Sequence, residues 1–159
     1  MKKPEIILLI IHNLHKDLAQ AIFAAEEAMK GATHDQSKAE TQYDTLGLEY
    51  AYLAEGQSRR IDILKEEVVR LENWQAPTFH KDQEIYLGAL LQLISVSQLE
   101  PLWVFLIPAG GGQKITIADH ITLHTITPDT PLGTSILGKS VGDEITLPNG
   151  NIFKIEQLS

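Results

Sequence analysis

Acidic and hydroxyl side chains crowd one short stretch of this chain, where Thr33, His34, Asp35, Ser37 and Glu40 fall within eight residues. Carboxylate oxygens suit Mg²⁺, which takes one or two protein carboxylates and completes its octahedron with phosphate and water. The same residues also make an ordinary polar connection in which Asp35 caps a helix. Both readings stand at this point. The remaining candidates carry less chemistry. His12 and His15 are three apart on a helical stretch, and His120 and His124 share one face of a strand edge, but neither pair has the further ligands a zinc site needs. Pro108-Ala109-Gly110-Gly111-Gly112-Gln113-Lys114 has the glycines of a phosphate loop without the GxxxxGK[ST] spacing, and no helix clearly follows it. It reads as a flexible connection between strands. No nucleophile elbow or ordered acid–base pair occurs, so no self-contained active site is expected and the chain is not read as an enzyme.

The acidic stretch sits between two segments of helical period. Apolar or small residues fall at positions 11, 14, 18, 21, 25, 28 and 32, alternating steps of three and four, the mark of a heptad seam. The rhythm returns at 43, 46, 50, 53, 57, 60 and 64, with Val68 and Leu71 closing it and Ile61 sharing the place of Arg60. Lys30-Gly31-Ala32-Thr33 through Ser37 interrupts the pattern, with Gly31 weakening the helix and Thr33, Asp35 and Ser37 as possible caps. Two long helices joined by so short a break form an antiparallel hairpin. Arms of about 25 to 35 residues reach on the order of 40 to 50 Å. Seam positions 21, 25, 28 and 32 are all alanine, which narrows that end. On this reading Leu53 lies in the seam, and Leu53→Asp would bury a charge between the helices.

Ala76-Pro77-Thr78 stops the second helix, and the period changes to that of strands. Strands are expected over 90–96, 102–107, 121–126, 144–147 and 152–155, with Asn149-Gly150 turning the last hairpin. One short helix is expected over 131–138. The chain therefore divides into a hairpin over residues 1–76, its tip near 31–37, and a small, mostly antiparallel β domain over 77–159. The fold class is α+β.

Composition narrows the functions available. The chain has 159 residues, 43% of them hydrophobic, and no cysteine, which removes disulfides, thiolate metal sites and cysteine nucleophiles. The apolar run Ile6–Ile11 follows Pro4 and Glu5 and is too short to span a membrane, so it reads as a buried part of the first helix. Nine Lys/Arg face thirteen Asp/Glu in residues 1–76, and four face eight in residues 77–159, leaving each half at −4. Neither half has the basic footprint of a nucleic-acid binder. An acidic protein can still act on nucleic acid through a protein partner.

The stretch Ile126-Thr127-Pro128-Asp129-Thr130-Pro131-Leu132-Gly133-Thr134-Ser135-Ile136-Leu137-Gly138-Lys139-Ser140-Val141-Gly142-Asp143-Glu144-Ile145 resembles the C-terminal domain of the bacterial GreA/GreB transcription elongation factors. Thr33 to Glu40, Tyr43-Asp44-Thr45 and Tyr52-Leu53-Ala54 look like a Gre-like subgroup with a divergent tip. The likeness covers nearly the whole chain, specific in the C-terminal motif and architectural in the N-terminal half. It implies an N-terminal coiled coil and an FKBP-like C-terminal domain. It implies bacterial RNA polymerase as partner, with nucleic acid reached only through it, no membrane, a monomer and a cytoplasmic location. Docking at the rim of the secondary channel would fall to Pro131, Leu132, Gly133, Leu137, Gly138, Lys139, Gly142 and Asp143, while the coiled coil enters the channel.

In cleavage-stimulating members, acidic tip residues help to hold a second Mg²⁺ in the polymerase active site, and water then cuts the backtracked transcript. Carried over, that role falls to Asp35 as metal-binding and catalytic residue with Glu40 in support; no cofactor is bound by the protein alone. The family tip pattern is close to D-x-S-E-N. Asp35 and Ser37 match it, whereas Lys38 and Ala39 replace its glutamate and asparagine. Glu40 lies two residues beyond the expected acid, about 200° further round a helix. Two functions follow: an elongation factor that stimulates cleavage, or a channel-binding regulator that does not. A prolyl isomerase would need an aromatic-lined pocket, and Phe79, Tyr86, Trp103, Phe105 and Phe153 fall mostly at expected core positions.

Overall fold

The computed structural model describes residues 2–33, 46–95, 100–117 and 121–159. In order they form α1 (Lys3–Thr33), α2 (Leu46–Glu72), β1 (Leu90–Ser95), β2 (Leu102–Leu106), β3 (Lys114–Thr116), β4 (Thr122–Ile126), α3 (Pro131–Ile136), β5 (Glu144–Thr146) and β6 (Ile152–Leu158). Contacts divide the chain into two compact units, one of residues 1–11 with 70–159 and the other of residues 12–69.

The unit of residues 12–69 is the helical hairpin. Along α1 its buried residues are Leu14, Ala21, Ala25 and Ala28, on the seam that the three–four spacing predicts. Along α2 the seam has a different phase. Leu64 and Val68 are buried, Tyr50, Ala54, Gln57 and Ile61 are half-buried, and Arg60 is exposed. Leu53 is 52% exposed, so the expectation that it packs in the seam is wrong. The polar positions 57 and 60 left the phase undetermined by one residue, and burial of Ile61 in place of Arg60 settles it toward Ala54. Gly31 does not break α1, which continues to Thr33. A methyl group there would lie 2.9 Å from the Tyr50 ring, so the glycine lets an aromatic side chain lie against the helix backbone. By length and composition α1 has a window apolar enough to cross a membrane.

The other unit is built on one mixed sheet in the order β3-β4-β2-β1-β6-β5. Its pairings are antiparallel except β2 with β4, which run parallel in the register Trp103↔Leu123 to Leu106↔Ile126. Strand alternation sends Leu91, Leu93, Val104, Leu106 and Ile155 to one face, where Ile85, Ile136, Ile145 and Phe153 complete a core. Phe105 is buried on the opposite face, with the Trp74 ring centroid 6.2 Å away. The first turns of α1 belong to this unit, and Ile6, Ile7 and Ile10 are buried while Leu8 and Leu9 are exposed. The run Ile6–Ile11 is thus amphipathic, not buried throughout. The Asn149-Gly150 turn forms as its chemistry requires. Gly150 N donates to Leu147 O at 2.8 Å, and Leu147 N to Asn151 O at 2.9 Å.

The strand expectations hold to within a residue or two at most ends, though β6 runs on to Leu158. β3 was not expected. It has three residues with only Ile115 buried, too short to show a period.

Candidate functional site

The segment from Thr127 to Asp143 is held by a dense set of local hydrogen bonds. Thr130 caps α3, its Oγ1 accepting from Gly133 N at 3.0 Å and donating to Thr127 O at 2.7 Å. Pro131 follows at the start of the helix, where a missing N–H costs nothing. Any side chain at Gly133 would run into the Thr127 carbonyl oxygen, so that position requires glycine. Leu132 packs on the core and Ile136 lies within it.

Beyond the helix the chain turns twice with φ of +73° at Gly138 and +95° at Gly142, both left-handed. Gly138 N donates to Ile85 O at 2.9 Å, and Ile85 N to Lys139 O at 2.7 Å. Asp143 Oδ2 accepts from Ser140 N at 2.9 Å, closing the second turn. Gly142 N reaches Ile155 O on β6 at 2.8 Å.

These contacts divide the eight residues expected to dock. Pro131 opens α3; Gly133, Gly138, Gly142 and Asp143 shape the loop, and Leu132 anchors it. Leu137 and Lys139 point their side chains at solvent, as does Val141, which the sequence reading left out. Asp129 at the entrance is fully exposed. The Thr127 hydroxyl, followed by its own backbone N–H, holds its carboxyl below the usual range. Every residue from Leu137 to Asp143 except Ser140 is exposed, so no periodic pattern sets Val141 apart in the sequence.

Asp35 and Glu40, with His34 and Lys38, lie outside the described residues. So does His120, whereas His124 is half-buried in β4. Burial, and then Lys114 on the neighbouring strand, lower its pKa. His12 and His15 are both exposed. Among the described residues no group of three His, Cys, Asp or Glu side chains could hold a metal ion. The glycine-rich loop runs into β3 and not a helix. Thr125 secures it, with Oγ1 donating to Gly110 O at 2.8 Å and accepting from Gln113 N at 2.9 Å. Phe105 and Phe153 are buried in packing.

At the start of α1, Lys3 Nζ donates to Pro77 O at 2.8 Å and lies 4.6 Å from the Phe79 ring centroid. Phe79 in turn packs on Tyr86, with centroids 4.3 Å apart. Burial lowers the Lys3 pKa from 10.5 to about 8. Beside it Pro4, Ile7, Leu8, Ile11, Leu71 and Trp74 line an open apolar recess of about 490 Å³.

No family model matches the chain, and no curated protein does. Solved structures do. GreA factor homolog 1 (Gfh1) of Thermus thermophilus is 22% identical over 94% of both chains, with a TM-score of 0.38. Gfh1 of Thermus aquaticus is 24% identical over 92% of both, with a TM-score of 0.37. A further structure of the transcription factor Gfh1 is 24% identical over 93% of this chain and 92% of that one, with a TM-score of 0.39. At that level the likeness is one of chain organisation, and no residue's role is taken from it. The proteins matched are homologues of GreA, the family that the 126–145 motif resembles. They are homologues and not GreA or GreB themselves, against the first functional expectation of cleavage stimulation, which is not carried forward; the likeness itself brings no function to this chain. Lys38, in place of the family's tip glutamate, runs the same way.

Proposed function

We propose that this protein is a transcription factor that binds bacterial RNA polymerase, inserts its helical hairpin into the secondary channel and regulates transcription without stimulating transcript cleavage. The observation that carries this reading is the 127–143 segment. A motif resembling the Gre docking segment folds into a fixed loop that presents Leu137, Lys139 and Val141 outward. The protein acts in the cytoplasm as a monomeric factor, not an enzyme, and meets nucleic acid only through the polymerase. At the connecting end, Asp35 and Glu40 are the carboxylates that would approach the polymerase Mg²⁺. Lys38 puts a positive charge in the sequence where the family's tip has a negative one, which disfavours completion of a second metal site.

The test is made with fluorescently labelled protein and purified core polymerase, scoring binding, RNA chain extension and cleavage in backtracked complexes. Saturable binding, a changed extension rate and no added cleavage are expected. Absence of binding would sink the reading, and robust cleavage would refute its regulatory half.

A further inference from the structure

Lys3 stands in a different setting from its neighbour Lys2. It is the first residue of α1, at the positive end of the helix dipole, where an ammonium is disfavoured. Its side chain is half-buried, and Nζ meets two uncharged groups, Pro77 O at 2.8 Å and the Phe79 ring with its centroid 4.6 Å away. Tyr86 packs on the far side of that ring. Among the described residues no carboxylate pairs with Nζ. Glu5, the acid on the same turn, instead accepts from Lys2 N at 2.9 Å. An ammonium has three N–H donors, and one carbonyl with one ring face replaces only part of the water it loses. Lys2, Glu5, His80 and Tyr86 flank the site along the segments it touches, yet burial alone lowers its pKa, to about 8.

A neutral lysine amine is a nucleophile, and desolvation beside apolar groups is one way to make one near neutral pH. At pH 7.5 a pKa of about 8 leaves about a quarter of the amines neutral, against about one in a thousand at 10.5. Nucleophilic strength falls with basicity, which removes part of that advantage. A net gain of about tenfold remains.

We propose that Lys3 is an acylation site, modified at Nζ by small activated acyl donors, either acyl phosphates or thioesters. The amine lone pair attacks the acyl carbon and forms an N–C bond. The C–O bond to phosphate, or the C–S bond of a thioester, breaks, and the leaving group departs with the electron pair. The proton released from nitrogen passes to solvent. The product amide keeps one N–H for Pro77 O and has no charge to bury, so the modified chain stays folded. None of this depends on the polymerase reading.

The experiment treats the full chain with acetyl phosphate and, separately, with an acetyl thioester at pH 7.5. Acetylation at Lys2 and Lys3 is followed in time by tandem mass spectrometry. Lys2 is the internal control, since it adjoins Lys3 and is exposed. Lys3 should react about tenfold faster than Lys2 in the folded chain, and its rate should level off above pH 8. The preference should vanish in urea that unfolds the chain. Selectivity with both donors assigns the site to activated acyl groups in general, and selectivity with one alone assigns it to that class. A Lys3 rate within twofold of Lys2 or slower with both donors, or a preference that survives unfolding, would overturn the proposal.

Discussion

Single residues carry sharply different burdens in the segment from Thr127 to Asp143. Gly133 has no room for a methyl group against the Thr127 carbonyl. Gly133→Ala should therefore destabilise the β unit by about 1–3 kcal/mol, the usual range for overpacking, as read from a urea midpoint. Thr130→Ala removes an N-cap and leaves Gly133 N without its acceptor. A loss of about 1 kcal/mol is expected from the same measurement. Lys3 gives a pH signature. Its folded pKa of about 8 lies below the 10.5 of the free side chain, so between those values the unfolded chain binds more protons. Stability should accordingly rise as pH climbs from about 8 to 10.5, and that component falls away again as pH drops back through 8. Lys3→Met should flatten this slope in urea titrations at pH 7.5, 8.5 and 9.5; an unchanged slope would assign it to other groups.

At the scale of the element, the phase of the α2 seam decides which substitutions matter. Leu53→Asp replaces a side chain that is half in water and should cost within about 0.5 kcal/mol, as surface changes do. Leu64→Asp puts a carboxylate at a buried seam position and should splay or unfold the hairpin. Circular dichroism melts of the two variants separate these phases, because the reverse ranking would restore Leu53 to the seam. Gly31 shows the same logic on α1, since its place against the Tyr50 ring belongs to helix pairing and not to helix termination.

Across the whole molecule, residues distant in sequence make common cause at the start of the chain. The unit that holds the sheet also includes residues 1–11 and 70–76, with Lys3 on Pro77, Trp74 on Phe105 and Ile6, Ile10 and Leu71 buried. Trp74→Ala should cost this unit about 2 kcal/mol in a urea melt through lost apolar burial and ring contact. Under the proposed function, the loop presenting Leu137 and Lys139 and the hairpin bear on one partner. Paired changes, one from each, should weaken polymerase binding additively if the two surfaces act independently.

Features that arise within a few residues were legible beforehand. The three–four spacing of α1, the alternation of β1 and β2, the Pro-started α3 and the Asn149-Gly150 turn each follow from local sterics and hydrogen bonding. The motif in 126–145 could be recognised as Gre-like for the same reason, since it is one continuous stretch. What could not be read depends on partners far along the chain. The parallel pairing of β2 with β4 is chosen by the sheet, and β3 exists because β4 offers it an edge. The α2 seam is fixed by which side chains α1 accepts, a choice that a one-residue ambiguity at Gln57 and Arg60 left open. The 127–143 motif was visible as a string of residues, but its division into loop-forming glycines and outward Leu137, Lys139 and Val141 was not. Whether a side chain builds the loop or faces solvent is set by Ile85 and β6, which meet the segment only when the chain is folded.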